Sequence, residues 1–200
     1  MTLAQGLAQR GIHVASISYR LRQRGVGFGC DVPVADKRQA MLWAAEDVGA
    51  AVRAIRQRGA EWIAVGGSSA GAEAAMLWGF QLGRESVGAV VSFSGAIEPL
   101  ETDWNQLPSF IAFHGTCDAI VPYDQAIHRH CDSNAPGAFV LQGPAALHAC
   151  AEVNGGQAFV VAYEGAGHEV CNEAMIEPHA LDALAQFIHD AVNGNPLPST

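Results

Sequence analysis

Four short segments of this chain are apolar almost without a break: Trp62-Ile-Ala-Val65, Val87 to Phe93, Phe110-Ile-Ala-Phe113 and Phe159-Val-Val-Ala162. Runs of this length, set off by Gly, Pro or charged residues, mark strands covered on both faces rather than strands with one wet side. Helical patterns stand between and around them. In Asp36 to Arg58, Met41, Ala45, Val48, Val52 and Ile55 recur three and four apart, and Gly59 follows where a helix should stop. Ala72 to Leu82, Pro144 to Val153 and the amphipathic Glu177 to Val192 read as further helices, and Thr2 to Arg10 as a short one closed by Gly11. A helix is also expected from Pro122 past His128, and His13 to Tyr19 reads as a strand. Strands alternating with helices predict a three-layer α/β/α fold with a mostly parallel sheet. One domain over residues 1–192 is expected, with a fraying Gly/Pro/Ser/Thr-rich tail at 193–200. In such sheets chemistry collects at the carboxyl ends of the strands.

Composition narrows the partners. With 11 Lys+Arg against 20 Asp+Glu the formal charge is −9, and an acidic chain repels nucleic-acid phosphates. Half the residues are hydrophobic, which excludes disorder. No apolar run reaches the roughly 18 residues of a membrane span. The start, MTLAQGLAQRG, lacks the basic and apolar regions of a secretory signal, so a cytoplasmic location is the default. A secreted or periplasmic one would require an upstream segment and paired cysteines. Gly25-x-Gly27-x-Gly29 does not fit a dinucleotide fingerprint, and no C-x-x-C pair occurs, so no cofactor and no metal are expected. The nearby Arg20, Arg22 and Arg24 read as solvated. The five cysteines fit either two bridges and a free thiol or five buried thiols. A short Cys117–Cys131 bridge across the stretch after Phe113 is one arrangement to test, against a pair of free thiols there.

Gly67-Ser68-Ser69-Ala70-Gly71 fits G-x-S-x-G with Ser69 at its centre. It joins a short apolar strand to a helix, so the turn should lift the Ser69 hydroxyl above the sheet. The flanking glycines would spare it clashing side chains. The Ala70 amide, at the helix start, would face the same point and could donate to a developing oxyanion. A serine hydroxyl needs a base to take its proton and an acid to orient that base. Five histidines (His128, His130, His148, His179, His189) lie on or beside expected helices, His13 begins a strand and His114 ends one. Only His168, in Glu164-Gly-Ala-Gly-His-Glu169, sits in a Gly-rich loop directly after a strand. Asp118, just past the end of the third apolar run, is the preferred acid. Glu98, Glu101 and Asp103, after the second, are the alternatives. Ser69…Asp118…His168 runs in the serine–acid–histidine order of one known hydrolase arrangement.

At these residues the sequence resembles the carboxylesterases of the α/β-hydrolase fold. Gly66-Gly-Ser-Ser-Ala-Gly-Ala72, His114-Gly-Thr-Cys-Asp-Ala-Ile-Val-Pro-Tyr123 and Gly165-Ala-Gly-His168 are similar to that family's serine turn, acid loop and histidine loop. Arg10-Gly-Ile-His-Val-Ala-Ser-Ile-Ser-Tyr-Arg-Leu21 resembles a strand of the family ending in Tyr-Arg-Leu. The resemblance covers residues 1–192. It implies an α/β-hydrolase fold, Ser69 as nucleophile, His168 as general base and acid, and Asp118 as its orienting partner. The implied substrate is a small-molecule carboxylic ester.

The family also carries strands and a His-Gly-Gly loop ahead of the segment matched by residues 1–21, and that loop supplies a second oxyanion donor. The fold is therefore expected in N-terminally incomplete form, with the Val14–Tyr19 strand either pairing directly with Trp62–Val65 or standing a strand's width away, the second being favoured. Self-association through the open sheet edge is the expected consequence. The alternatives to an active esterase are a catalytically impaired hydrolase-fold protein with a binding role, and a peptidase using the same three residues. Trp104, Phe28 and Tyr123 are the candidate pocket residues, suited to a modest apolar acyl or aryl group.

Overall fold

The computed structural model describes residues 2–21, 27–100 and 103–195. Strands β1 (Ala64–Ser68), β2 (Ala89–Phe93), β3 (Ser109–Gly115) and β6 (Ala158–Tyr163) form one parallel sheet in the order β1-β2-β3-β6. Its register sets Val65 beside Val90, Val90 beside Phe110 and Ile111 beside Phe159. Three lie on their apolar runs, while β1 shares only Ala64 and Val65 with the expected Trp62–Val65 and runs on through Gly66-Gly67 to Ser68. Successive side chains divide between the faces, as strand geometry requires. Val90, Phe110 and Ala112 point to one face, where they meet α2 (Val34–Gln57), α3 (Ala70–Leu77) and α4 (Pro144–Asn154) through Val48, Val52, Met76 and Leu147. Val91, Phe93, Ile111 and Phe113 point to the other. There Leu7 of α1 (Leu3–Ala8), Val170 of α5 (Val170–Glu173) and Leu181 and Phe187 of α6 (Pro178–Asn193) cover them.

Several expectations are corrected. The helix expected from Pro122 is instead a short hairpin, in which β4 (Gln125–Ile127) pairs antiparallel with β5 (Val140–Gln142). A 3-10 turn follows at His128–His130, and Arg129 and His130 have φ of 57° and 48°, through which no right-handed helix continues. The helix after Ser69 begins at Ala70 and widens at its end into a π-helical turn, Trp78–Leu82. The final helix runs through Asn193 to a left-handed cap at Gly194; of the expected tail, residues 196–200 lie outside the described residues. The segment expected to be a strand at His13–Tyr19 forms no ladder, so the direct pairing with β1 does not occur. Val14 and Ile17 are exposed there, while Tyr19 packs on the α2/α3 side of the core. Arg20 is not free. It lies 2.9 Å from both Glu46 and Asp47 on α2, and its backbone N–H also donates to Asp47. Arg22 and Arg24 lie outside the described residues.

The cysteine pairing differs as well. Cys131 is bonded to Cys30, while Cys117 is an exposed thiol and Cys150 and Cys171 are unpaired. The backbone accounts for this. The Gly137 amide donates to Cys30 O and that of Val34 to Pro136 O, laying the two loops side by side, whereas the Cys117 amide is bonded to Ala166 O. The bridge spans 101 residues of chain. Losing so large a loop closure should cost roughly 2–5 kcal/mol, so Cys30→Ser/Cys131→Ser should unfold at clearly lower urea. Unchanged midpoints would show the crosslink carries no stability. Among the described residues no helix is long and apolar enough to cross a membrane, and no cluster of three or more His, Cys, Asp or Glu could hold a metal ion.

Candidate active site

At the end of β1 the chain turns into α3 within one residue. Ser69 takes φ 51° and ψ −122°, an uncommon conformation for a residue with a side chain, and caps α3 without a side-chain hydrogen bond. Two backbone bonds hold it there: its N–H donates to Phe93 O (2.8 Å), and its C=O accepts from the Glu73 amide (3.0 Å). The hydroxyl is thus left for another partner. A Cβ on Gly67 would sit 2.4–2.8 Å from the backbone of Gly71 and Ala72, so this turn closes only with glycine at 67. Gly71, expected to serve the same purpose, does not: a Cβ there meets nothing within 4 Å.

The loop after β6 supplies the partner. His168 Nε2 lies 2.9 Å from Ser69 Oγ, and His168 Nδ1 lies 2.7 Å from Asp118 Oδ2. Two contacts bring that loop over the sheet ends. Gly115 closes β3 so tightly against it that a Cβ would meet the carbonyls of Ala166 and Gly167 at 2.4 Å. The Ser68 hydroxyl donates to Cys171 O at 2.8 Å, tying α5 to the end of β1. Asp118 is sealed from solvent, and its other oxygen accepts from the amides of Ile120 (2.8 Å) and Val121 (2.9 Å). Burial works to raise its pKa, but the adjacent rings of His114 and His168, then the amides of Val121 and Ile120, outweigh it. The carboxyl is held well below its ordinary range and stays ionised at neutral pH.

The two other acid candidates among the described residues are engaged elsewhere. Glu98 pairs with Arg38 at 2.7 Å, Asp103 caps the turn Trp104–Gln106, and Glu101 lies outside the described residues. Of the proposed pocket residues, Trp104 is misplaced: it is buried in the core and packs on Gly156, just before β6, at the opposite end of the sheet. Tyr123 belongs to the acid loop, its ring 5.9 Å from that of His114, and Phe28 is half-buried in the loop held by Cys30.

Three buried ionisable groups beside the site escape a reading by motif. Lys37, the one lysine of the chain, is fully buried; its Nζ donates to Gly137 O (2.9 Å) and lies 3.4 Å from His128 Nδ1. Burial lowers its pKa and, with the charges of Lys37 and Arg129, takes His128 down to about 4. Glu73, one turn beyond Ser69 on α3, is 4% exposed, and burial raises its carboxyl to about 8 against the pull of Lys37 and Arg129. A lone Lys at a core-facing helical position and a Glu inside Ala-Gly-Ala-Glu-Ala-Ala-Met-Leu were the available signals. Between about pH 4.5 and 8 the folded state keeps a proton on Glu73 that the unfolded chain has lost, so stability falls as pH rises. Glu73→Gln should remove that slope. It should match the parent near pH 4 and exceed it at pH 9 by on the order of 1 kcal/mol or more, read by urea unfolding. Parallel curves for the two proteins would count against a protonated Glu73.

No family model matches the chain, and no curated protein does. Solved structures do. The chain spans about two thirds of Arabidopsis thaliana SOBER1 (65% of that chain, 77% of this one, 18% identity, TM-score 0.49). A butyrate-bound thermophilic esterase, Est2 of Thermogutta terrifontis, is 20% identical over 92% of this chain and 73% of its own, with a TM-score of 0.52. A protein assigned to the α/β hydrolase superfamily in Xanthomonas campestris pv. campestris is 16% identical over 94% and 87%, also at 0.52. With its parallel sheet covered on both faces, the chain has the α/β-hydrolase fold.

Proposed function

We propose that this chain is a serine hydrolase that cleaves carboxylic esters of small molecules through an acyl-enzyme. One observation carries the reading: an unbroken row of hydrogen-bond contacts, Ser69 Oγ to His168 Nε2 (2.9 Å) and His168 Nδ1 to Asp118 Oδ2 (2.7 Å), with a charged acid at its end. A carboxylate accepts only, so Asp118 fixes the His168 proton on Nδ1 and leaves Nε2 a lone pair facing the serine. As Ser69 Oγ attacks the ester carbonyl, Nε2 takes its proton, and the imidazolium is stabilised by the Asp118 charge. The same proton then passes to the leaving alcohol. Water attacks the acyl-serine by the reverse sequence and frees the acid. The Ala70 N–H, at the helix start where amides lack intrahelical acceptors, is the oxyanion donor this reading assigns.

The test is hydrolysis of 4-nitrophenyl acetate and butyrate, short acyl chains like the butyrate bound in Est2, together with labelling by a fluorophosphonate. Turnover and a single adduct mapped to Ser69 are expected. An intact protein that neither hydrolyses the esters nor takes the label at Ser69 would sink the proposal.

A further inference from the structure

His114, the penultimate residue of β3, is fully buried, and its ring is only half satisfied. Nε2 lies 3.0 Å from Val121 O, which can only accept, so Nε2 carries the ring proton. Nδ1 is then a lone pair sealed in the protein with no partner among the described residues. An apolar side chain would fill this site, directly after the apolar run Phe110-Ile-Ala-Phe113, without leaving a buried nitrogen unpaired. What the imidazole offers instead is its position. Nε2 is also 3.4 Å from Asp118 Oδ2, the oxygen that receives His168.

From this geometry we infer that His114 is a positioning residue for the acid; the inference rests on reading Ser69, His168 and Asp118 as the reactive row. The Val121 carbonyl that His114 holds belongs to the residue whose amide clamps Asp118 Oδ1. His114 therefore fixes the turn that grips one carboxylate oxygen while its ring stands against the other. The carboxylate cannot rotate about its Cβ–Cγ bond, and Oδ2 stays aimed at His168. The titratable side chains around His114 are Asp118 on its own loop, Tyr123 beside its ring and His168 across Asp118. Its N–H is directed at Val121 O, and the contact to Oδ2 is long for a hydrogen bond, so direct competition with His168 for that oxygen is weak. Loosening of the turn outweighs it when His114 is removed.

His114→Phe keeps the bulk and removes the donor, whereas His114→Gln can place an amide N–H where Nε2 stands. In His114→Phe the downfield Nδ1–H proton signal of His168 should move upfield and broaden, a readout independent of turnover. With 4-nitrophenyl butyrate, kcat should fall by about tenfold to a hundredfold with KM little changed, because a misplacement of under an ångström is expensive at a reacting centre. The acid limb of kcat/KM should shift to lower pH as the support of Asp118 for the imidazolium weakens. His114→Gln should restore the signal and most of kcat. An unchanged signal in His114→Phe, or one that moves downfield, would overturn the inference. So would a Gln variant as impaired as the Phe variant, since bulk and packing alone would then explain both. Because the signal is read without substrate, its behaviour stands apart from whether the chain hydrolyses esters at all.

Discussion

Ser69→Ala should abolish ester hydrolysis, with kcat lower by up to about 10⁶-fold, the scale seen when one member of such a unit is removed. The size follows from the arrangement. His168 Nε2 has no proton to take once Oγ is gone, so the pathway through an acyl-enzyme closes, and only binding and the Ala70 amide remain to assist water. Folding should be spared. The one side-chain bond of Ser69 is to His168, its two backbone bonds do not involve the hydroxyl, and alanine inherits the φ of 51° that serine already bears. The variant should therefore melt within a few degrees of the parent while initial rates with 4-nitrophenyl esters drop to background. A folded Ser69→Ala protein within tenfold of the parent rate would remove Ser69 from the mechanism.

What the sequence disclosed, and what it hid, divides along the range of the interactions. The apolar runs marked the places of the four parallel strands, most fully for β2 and β3, because a strand buried on both faces is recorded residue by residue, whereas β1 runs past its apolar residues into Gly66-Gly67-Ser68. The three residues in hydrogen-bonded contact were likewise legible: each follows its own strand, and the fold gathers strand ends. The stretch after the acid loop was not. Gln125–Ile127 becomes a strand only because Val140–Gln142 returns to pair with it, and the left-handed Arg129 and His130 carry no glycine to announce them. The same distance hid the disulfide, since Cys131 meets Cys30 through a loop contact 101 residues away rather than its nearer neighbour Cys117. Val14–Tyr19 has strand-like composition but makes no ladder, and a strand exists only through the hydrogen bonds of a partner. His114, Glu73 and Lys37 stayed silent for a third reason. Their types are ordinary, and only burial gives them chemical weight.

Asp118→Asn should lower kcat by about 10⁴-fold, the loss expected when the histidine is held in the wrong tautomer. The amides of Ile120 and Val121 both donate to Oδ1, so the asparagine oxygen must occupy that side to give them an acceptor. Its NH₂ group then faces His168, where Oδ2 had accepted. A donor there forces His168 to offer a lone pair at Nδ1 and to carry its proton on Nε2, aimed at Ser69 Oγ and unable to receive another. The NH₂ also meets the Nε2–H side of His114 at close range, which adds a donor-to-donor contact and some loss of stability. No carboxylate limb should appear in the parent rate profile through the neutral range, because Asp118 is held below its ordinary pKa and ionised throughout. Glu98→Gln is the matched comparison. It removes an acid after a neighbouring strand end, but Glu98 is spent on Arg38, a partly exposed pair worth little, and the rate should stay within a few-fold of the parent. Near-parental turnover in Asp118→Asn beside an inactive Glu98→Gln would move the acid role to Glu98.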